Sequence, residues 1–430
     1  MVEMELGRWI DKQAQLSAEL MERSISATHL RRVRAPFSQM IVPARGSVLA
    51  SPAIADWNPE PDYFFHWVRD SAIVMRTVAD LAADAKDDVE RRRWTPHFED
   101  YVAFSLRLAR LDVRNFESYS GQTEVAFRKF LRRDDDIGAL GRDALLGEPR
   151  FNPDGTIDIL GWSRPQYDGP ALRALACLRF REMAGANSEL DALLRLDLDF
   201  TARHAGEACI GPWEEPEENT HHYYVALVQL GALVHGRALV QHADAEERLR
   251  TALAHHWSPA HGVYAAVRPF RGNVRDDLID SAVLLAVLDA DLADGPHSVA
   301  DPRLWQTLAA LEGLFAREFP INRGRAAPAL GRSRADRYFG GGAWYVTTLA
   351  AAALCYRRAA RRSDATYLAR GDAYMTTVRE MVPADGHMAE QVDRDTGEPA
   401  SARDLTWSYA ALVEAAALRR SAVRCAAPRS

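Results

Sequence analysis

The sequence predicts an all-α protein in which paired helices close into a ring. About a dozen segments repeat apolar residues at the helical period, and most are rich in Ala, Leu and Arg. No segment alternates like a strand over a useful length, and no short-period repeat indicates a solenoid. Because no low-complexity linker divides the chain, we expect residues 1–430 to form one domain.

The predicted helices follow one another at fairly regular spacing. An amphipathic segment near residues 5–28 comes first, and the later segments with helix-period apolar patterning are 70–84, 98–112, 168–184, 189–204, 220–240, 244–256, 277–291, 302–318, 342–361, 364–381 and 404–420. Pro and Gly cluster in the predicted connections, at 43–61, 147–170, 211–216, 267–272, 319–331 and 383–399.

Composition excludes several classes of function. A net charge of -7 argues against a nucleic-acid partner, which would require a basic face. Residues 1–24 carry charges throughout and lack the apolar core of a signal peptide, and no apolar run reaches the length of a membrane span. The four cysteines share no CxxC spacing, which favours free thiols in a reducing compartment. We therefore expect a cytoplasmic protein with no membrane partner.

The most informative stretch runs from Asp385 to Tyr409. It places the carboxylate of Glu390 on a short irregular run ahead of a predicted helix. Ser401 and Asp404 are expected to form a capping box for that helix, with Trp407 in its first turn.

A second carboxylate motif, Pro212-Trp213-Glu214-Glu215, lies far upstream and also contains a tryptophan. Glycoside cleavage needs two such carboxyls, one to protonate the leaving oxygen and one to activate water or attack carbon. Glu217 and Glu218 extend the acidic run, so like charges and burial are expected to raise the pKa of Glu214. Glu390 is expected to remain ionised so that it can deprotonate water.

Three further connections carry polar and aromatic residues ahead of predicted helices. They are residues 62–70, which end in Arg69-Asp70, residues 161–170, and residues 331–344, which contain Gly340-Gly341-Gly342. Arginine donors and carboxylate acceptors at such positions can bind adjacent sugar hydroxyls. No phosphate-loop spacing occurs, which argues against a nucleotide site.

These connections resemble those of the glucoamylases and related exo-hydrolases of glycoside hydrolase family 15. The matching strings run in family order from about Val48 to Arg419: NPEPDYFFHWVRDSA, GEPRFNPDGTIDILGWSRPQYDGPALRA, PWEE, GRSRADRYFGGGAWYVTTLAAA and EQVDRDTGEPASARDLTWSYAAL. The resemblance implies an (α/α)6 barrel with an active-site pocket at one end. It also implies an inverting mechanism that releases β-D-glucose from non-reducing ends, with no metal and no cofactor.

The resemblance also implies roles for individual residues. Glu214 matches the general acid and Glu390 the general base. Arg69 and Asp70 match the pair that holds the terminal glucose, and Arg332 matches an arginine at the cleavage subsite. The remaining expected substrate-binding residues, including aromatics of the pocket wall, are Tyr63, Trp67, Trp162, Arg164, Trp213, Glu215, Trp344 and Trp407.

The substrate is less determined than the class. Pro212, the run after Glu215 and the three glycines depart from the patterns of the fungal starch enzymes, at places where a second sugar would bind. We expect neither a starch-binding module nor an N-terminal β-sandwich of the kind that bacterial relatives often carry. A cytoplasmic enzyme for short α-gluco-oligosaccharides is expected, with α-1,4, α-1,6 and the α,α-1,1 linkage of trehalose all open.

Two other classes stay open at this point. A sugar epimerase or isomerase on the same barrel would need a pair of pocket histidines, and His221 and His222 are the only adjacent pair. A non-catalytic sugar-binding relative would be expected to lack one of the two carboxylates. The aspartates at 134–136 and 276–277 resemble magnesium-binding clusters, but their charged surroundings favour solvated loop ends. The sequence does not determine the oligomeric state.

Overall fold

A computed structural model describes residues 2–56, 59–114, 116–215, 220–270, 272 and 274–426. The α-helices of these residues are α1 (Val2–Glu22), α2 (Val68–Ala83), α3 (Asp88–Leu108), α4 (Asp134–Gly138), α5 (Arg142–Leu146), α6 (Asp168–Ala184), α7 (Ser188–Arg203), α8 (Tyr223–Gly236), α9 (Ala243–Ala254), α10 (Arg275–Leu278), α11 (Ala282–Ala290), α12 (Pro302–Glu318), α13 (Tyr345–Arg362), α14 (Ala365–Met381) and α15 (Thr406–Ala426).

Six of these helices form a closed inner ring. Helices α2, α6, α8, α11, α13 and α15 each pack against the next, and α15 returns to pack against α2. The other long helices, α1, α3, α7, α9, α12 and α14, lie outside this ring. Helices α8 and α11 are buried on almost every face because both the ring interior and the outer layer cover them. The architecture is the (α/α)6 barrel that the sequence predicts.

Two helices begin five or more residues from their predicted starts, each because of an aspartate. Helix α3 begins at Asp88 rather than near residue 98, since the Asp87 carboxylate accepts hydrogen bonds from the amides of Val89 and Glu90. Helix α11 begins only at Ala282, where the Asp280 carboxylate accepts from the Ala282 amide at 2.6 Å. The segment 275–278 ahead of it forms a separate single turn.

Short strands tie the connections together. In the described chain they are β1 (Arg32–Arg34), β2 (Gln39–Ile41), β3 (His66–Trp67), β4 (Arg150–Phe151), β5 (His221–His222), β6 (Trp257–Ser258), β7 (Val263–Tyr264), β8 (Val267–Arg268), β9 (Ala343–Trp344), β10 (Gln391–Val392) and β11 (Pro399–Ala400). Each pair is antiparallel, and β10 lies between β9 and β11. At two or three residues each, these strands show no alternation that sequence periodicity could detect.

Gly342 allows the close approach of β9 to β10. A Cβ at this position would lie 2.2 Å from the Val392 carbonyl oxygen, and the Gly342 amide donates to the Gln391 side chain at 2.8 Å. We expect Gly342→Ala to destabilise the fold by about 2 kcal/mol, because backbone must move to admit the methyl group.

Thermal unfolding followed by circular dichroism measures this effect. Gly313→Ala is the control, since its added Cβ in α12 would meet only the end of the flexible Arg317 side chain at 3.5 Å. We expect that variant to match the parent or exceed it by up to about 1 kcal/mol. Equal unfolding temperatures for Gly342→Ala and the parent would contradict the prediction.

The four cysteines are free thiols, with Cys177, Cys209 and Cys355 buried and Cys425 exposed. In the part of the chain that the structure describes, no helix combines the length and the apolarity needed to cross a membrane.

Candidate active site

A cavity of about 820 Å³ opens at the end of the barrel where the inner helices begin. Its wall comes from the connections that lead into α2, α6, α8, α13 and α15. Of the residues that the sequence singles out, those that line it are Tyr63, Trp67, Arg69, Asp70, Trp162, Trp213, Glu214, Glu215, Arg332, Trp344, Glu390 and Trp407. The two carboxylates of distant motifs therefore face one cavity.

Glu214 lies in a tight turn whose backbone is held in the left-handed region, with φ of 56°. Its carboxylate accepts from the indole of Trp67 at 2.9 and 3.0 Å and from the indole of Trp162. The guanidinium of Arg69 and the amide of Gln166 donate to the same group at 3.1 and 3.2 Å. These donors from β3, from α2 and from the loop ahead of α6 fix the carboxylate in one orientation.

Arg69 and Asp70 open the first turn of α2 beside Glu214. The Nε of Arg69 lies 3.2 Å from the Asp70 carboxylate, and both side chains are at least nine-tenths buried. Burial raises the pKa of Asp70 to about 6, although the Arg69 charge opposes this. Arg69 also lies over the ring of Trp407, 5.7 Å from its centre.

Glu390 occupies the opposite connection, ahead of α15, and is only 4% exposed. Its amide donates to the Ala402 carbonyl at 2.8 Å, and the Ser401 hydroxyl donates to its Oε2. Burial raises the pKa of Glu390 to about 7, while hydrogen bonds from Ser401 and Tyr63 and the charge of Arg332 act against this rise. This upward shift of the pKa runs against the sequence-based expectation that Glu390 remains ionised, which stays a prediction.

Ser401 and Asp404 do not cap α15, which corrects the predicted capping box. The helix begins at Thr406, and both residues have left-handed backbone, with φ of 65° and 50°. The Asp404 carboxylate accepts from the Tyr409 hydroxyl at 2.5 Å instead. The turn thus uses Ser401 to hold Glu390.

The outer part of the cavity is built around Arg332. Its guanidinium binds Asp336 and lies 3.4 Å from Glu215. The rings of Trp213 and Trp344 lie 5.4 Å apart, each within 5.5 Å of that guanidinium. Aromatic faces and fixed charges in this part of the cavity suit the ring face and the hydroxyls of a sugar.

Asp280, which the sequence analysis does not single out, holds the Trp213 side chain in place. The indole of Trp213 donates to both carboxylate oxygens of Asp280, at 2.9 and 3.0 Å. Burial raises the pKa of Asp280 to about 7. Asp280 lines a second, smaller cavity of about 350 Å³ behind the turn that carries Glu214.

Arg164 is the one predicted substrate-binding residue that does not line the main cavity. Its guanidinium lies 2.6 Å from Glu148 and also binds the Trp162 carbonyl at 2.8 Å. It supports the loop instead. Gln166, two residues later in the same motif, is the side chain that reaches Glu214. An irregular loop has no periodicity from which one could predict which side chain points towards the site.

The histidine pair that the sequence offers for epimerase chemistry lies outside the main cavity. Among described residues no histidine lines the main cavity; His222 borders the smaller one, and His221 is exposed on β5.

The aspartate clusters pair with arginines instead of forming a metal site. Asp136 pairs with Arg133 and Asp276 with Arg317, and no described group of three or more ligating side chains could hold a metal ion. Residues 216–219, including Glu217 and Glu218, are outside the described residues, so the expected effect of like charges on Glu214 stays a prediction.

A helical barrel with an aromatic cavity and two facing carboxylates has the features that a glycosidase needs. Residues 28–417 match the family model described as Glycosyl hydrolases family 15, and the chain belongs to that family. It is therefore an α-glucoside hydrolase, as the sequence motifs predict.

Named relatives agree with this membership. The chain is 27% identical to a probable glucoamylase of Schizosaccharomyces pombe, over 98% of this chain and 93% of that protein. It is 27% identical to glucoamylase-1 of Arthroderma benhamiae, where the match covers 88% of this chain and 65% of that protein. An intracellular sporulation-specific glucoamylase of Saccharomyces cerevisiae is 25% identical over 97% and 85% of the two chains.

Solved structures have the same fold. The glucoamylase of Saccharomycopsis fibuligera superposes with a TM-score of 0.74 at 22% identity, covering 97% of this chain and 96% of that one. The family 15 glucoamylase of Hypocrea jecorina gives 0.76 at 23% identity, over 96% and 72%.

Proposed function

We propose that this protein is an inverting exo-hydrolase that releases β-D-glucose from the non-reducing ends of short α-gluco-oligosaccharides. The observation that carries the proposal is the placement of Glu214 and Glu390 on opposite connections of one cavity, with Arg69 and Asp70 of the inner helix α2 beside Glu214. Glu214 is the general acid and Glu390 the general base.

The chemistry follows from these two roles. Glu390 in its ionised form takes a proton from a water molecule as the water oxygen bonds to the anomeric carbon. The bond from that carbon to the leaving oxygen breaks, and the oxygen takes the proton of Glu214. Water enters from the face opposite the leaving group, so an α-linkage gives β-glucose. A base whose pKa is about 7 is well matched to operation near neutral pH.

The wall residues account for exo-action. Arg69 and Asp70 offer donors and acceptors to hydroxyls of a terminal glucose, while Trp67 and Trp162 hold the acid that faces its glycosidic oxygen. Arg332 and Glu215 would meet the next sugar. A terminal unit held deep in the cavity leaves only the first linkage beside Glu214.

Proton NMR of the anomeric signals tests the proposal. Maltotriose, isomaltotriose and trehalose are incubated side by side with the enzyme, and the first glucose released is observed before mutarotation. We expect the β-anomer first from at least one of them, which also identifies the linkage. If α-glucose appears first, the mechanism is retaining and Glu390 is not the base.

The hydroxyl of Ser401 provides a second test. It donates to Glu390, and this bond lowers the pKa of that carboxyl against the effect of burial. We expect Ser401→Ala to move the acidic limb of the kcat profile to higher pH by about half a unit to one unit, since the base then needs higher pH to ionise.

Ser408→Ala is the matched control for this experiment. Its hydroxyl donates at 3.0 Å to the Ala389 carbonyl, next to Glu390 but not to the carboxylate. The acidic limb should stay in place in that variant. An unmoved limb in Ser401→Ala would contradict the role of the hydrogen bond.

We also propose that residues 1–430 act as one catalytic domain in the cytoplasm. The inner ring closes within this length. An intracellular location is supported by the four free thiols and by the intracellular relative of Saccharomyces cerevisiae.

A further inference from the structure

A third carboxylate lies behind Arg69, outside the cavity wall. Asp168 is the first residue of α6 and has no exposed surface. In the described chain neither of its carboxylate oxygens accepts a hydrogen bond from another residue. The nearest charge is Nη1 of Arg69, 3.7 Å from its Oδ2. Asp168 therefore has no structural partner other than a residue of the site.

The guanidinium of Arg69 is shared among three carboxylates. Asp70, Glu214 and Asp168 lie 3.2, 3.1 and 3.7 Å from its nitrogen atoms. One positive charge cannot fully compensate three negative ones in a buried place. Burial, with the charges of Glu214 and Asp70, accordingly raises the pKa of Asp168 to about 7, although Arg69 acts against the rise.

The other titratable groups around Asp168 are neutral near physiological pH. Tyr224 of α8 donates its hydroxyl to Asp289 at 2.9 Å, and burial raises its pKa further. Burial also raises the pKa of the Cys209 thiol, which belongs to the segment ahead of Glu214. The charges that face Asp168 are thus those of Arg69, Asp70 and Glu214.

We propose that Asp168 is a positioning residue that keeps the proposed general acid protonated by drawing the charge of Arg69 away from Glu214. The inference rests on the proposed function, and it deepens it. An ionised Asp168 repels the ionised form of Glu214 and competes for the same guanidinium. Because of both effects, Glu214 loses its proton at a higher pH than it would without Asp168. The enzyme can then still protonate the leaving oxygen at that pH.

The variant Asp168→Asn tests this role, because asparagine keeps the shape and remains a good residue for a helix start. We expect the alkaline limb of the kcat profile with maltotriose to move to lower pH by about one unit. Hydrolysis of α-D-glucosyl fluoride should stay within about twofold of the parent, since fluoride departs without a proton from the acid. The acidic limb should not move.

Asp197→Asn is the control for loss of a buried carboxylate. Asp197 of α7 pairs at 2.7 Å with Arg173, which lies on α6 as Asp168 does, and neither Asp197 nor Arg173 lines the cavity. That variant should unfold at lower temperature than the parent while both limbs of its profile stay in place. If Asp168→Asn does not fold, Asp168→Ser is measured in its place.

An unmoved alkaline limb in folded Asp168→Asn, or an equal loss of fluoride and maltotriose hydrolysis, would overturn the inference. That result leaves the proposed function intact as long as Glu214→Gln loses maltotriose hydrolysis. Failure of the proposed function appears differently, as retention of maltotriose hydrolysis by Glu214→Gln itself.

Discussion

Glu214→Gln should lower turnover of maltotriose by about a thousandfold, the range expected when a general acid is removed. The amide of the glutamine cannot protonate the leaving oxygen. α-D-Glucosyl fluoride bypasses this requirement, because fluoride leaves without protonation. We therefore expect the variant to keep most of its turnover of the fluoride, measured by fluoride release alongside glucose release from maltotriose.

The fluoride also controls for local damage. The carboxylate of Glu214 accepts from two indoles, a guanidinium and an amide, and one glutamine oxygen cannot accept from all of them. Its amide nitrogen must face at least one N–H donor, which costs about 1–3 kcal/mol. A disordered turn would lower the turnover of maltotriose and of the fluoride together. Only a loss confined to maltotriose therefore identifies Glu214 as the acid. Retained maltotriose turnover would exclude Glu214 from this role.

The sequence predicts the barrel well because helices have a period. The inner helix α8 was expected at 220–240 and lies at Tyr223–Gly236, and α6 lies at its predicted bounds of 168–184. Local capping explains the larger differences. Asp87 caps α3 so that the helix begins ten residues before its predicted start. A polar capping residue is not part of the apolar repeat from which the helix was predicted.

The site is predictable as a set of loops and less so as individual side chains. The loop at residues 161–170 was expected to face the cavity through Trp162 and Arg164, and of these two residues Trp162 alone lines it. Glu148 holds Arg164 at 2.6 Å, and Gln166 of the same loop donates to Glu214. Glu148 lies 16 residues earlier in the same connection, too far along an irregular run for a local pattern to reveal the pairing.

Residues that contact and orient other side chains of the site are the hardest to predict from sequence. Ser401 looks like a cap in sequence, yet its left-handed backbone directs the hydroxyl to Glu390. Asp168 and Asp280 each begin or precede an inner helix, where an aspartate is ordinary. Their partners, Arg69 and Trp213, come from other connections and meet them only when the ring closes.

Glu390→Gln should abolish turnover of both maltotriose and α-D-glucosyl fluoride, because each needs water activated by the base. It should also stabilise the protein at alkaline pH. The pKa of Glu390 rises from its ordinary value of 4.5 to about 7 on folding, so the folded state holds this proton more tightly than the unfolded state. Ionisation therefore removes stability as pH rises from 4.5 through 7, by up to about 3 kcal/mol.

Calorimetric unfolding at pH 4.5 and pH 8 measures this second effect. We expect Glu390→Gln to unfold a few degrees above the parent at pH 8 and at nearly the same temperature at pH 4.5, where the parent also carries the proton. Glu398→Gln is the control, since that glutamate lies on the same hairpin but is exposed. It should change neither turnover nor unfolding. A Glu390→Gln variant that unfolds below the parent at pH 8 would mean that the ionised carboxylate is fully compensated by Ser401, Tyr63 and Arg332, and that burial there carries no cost.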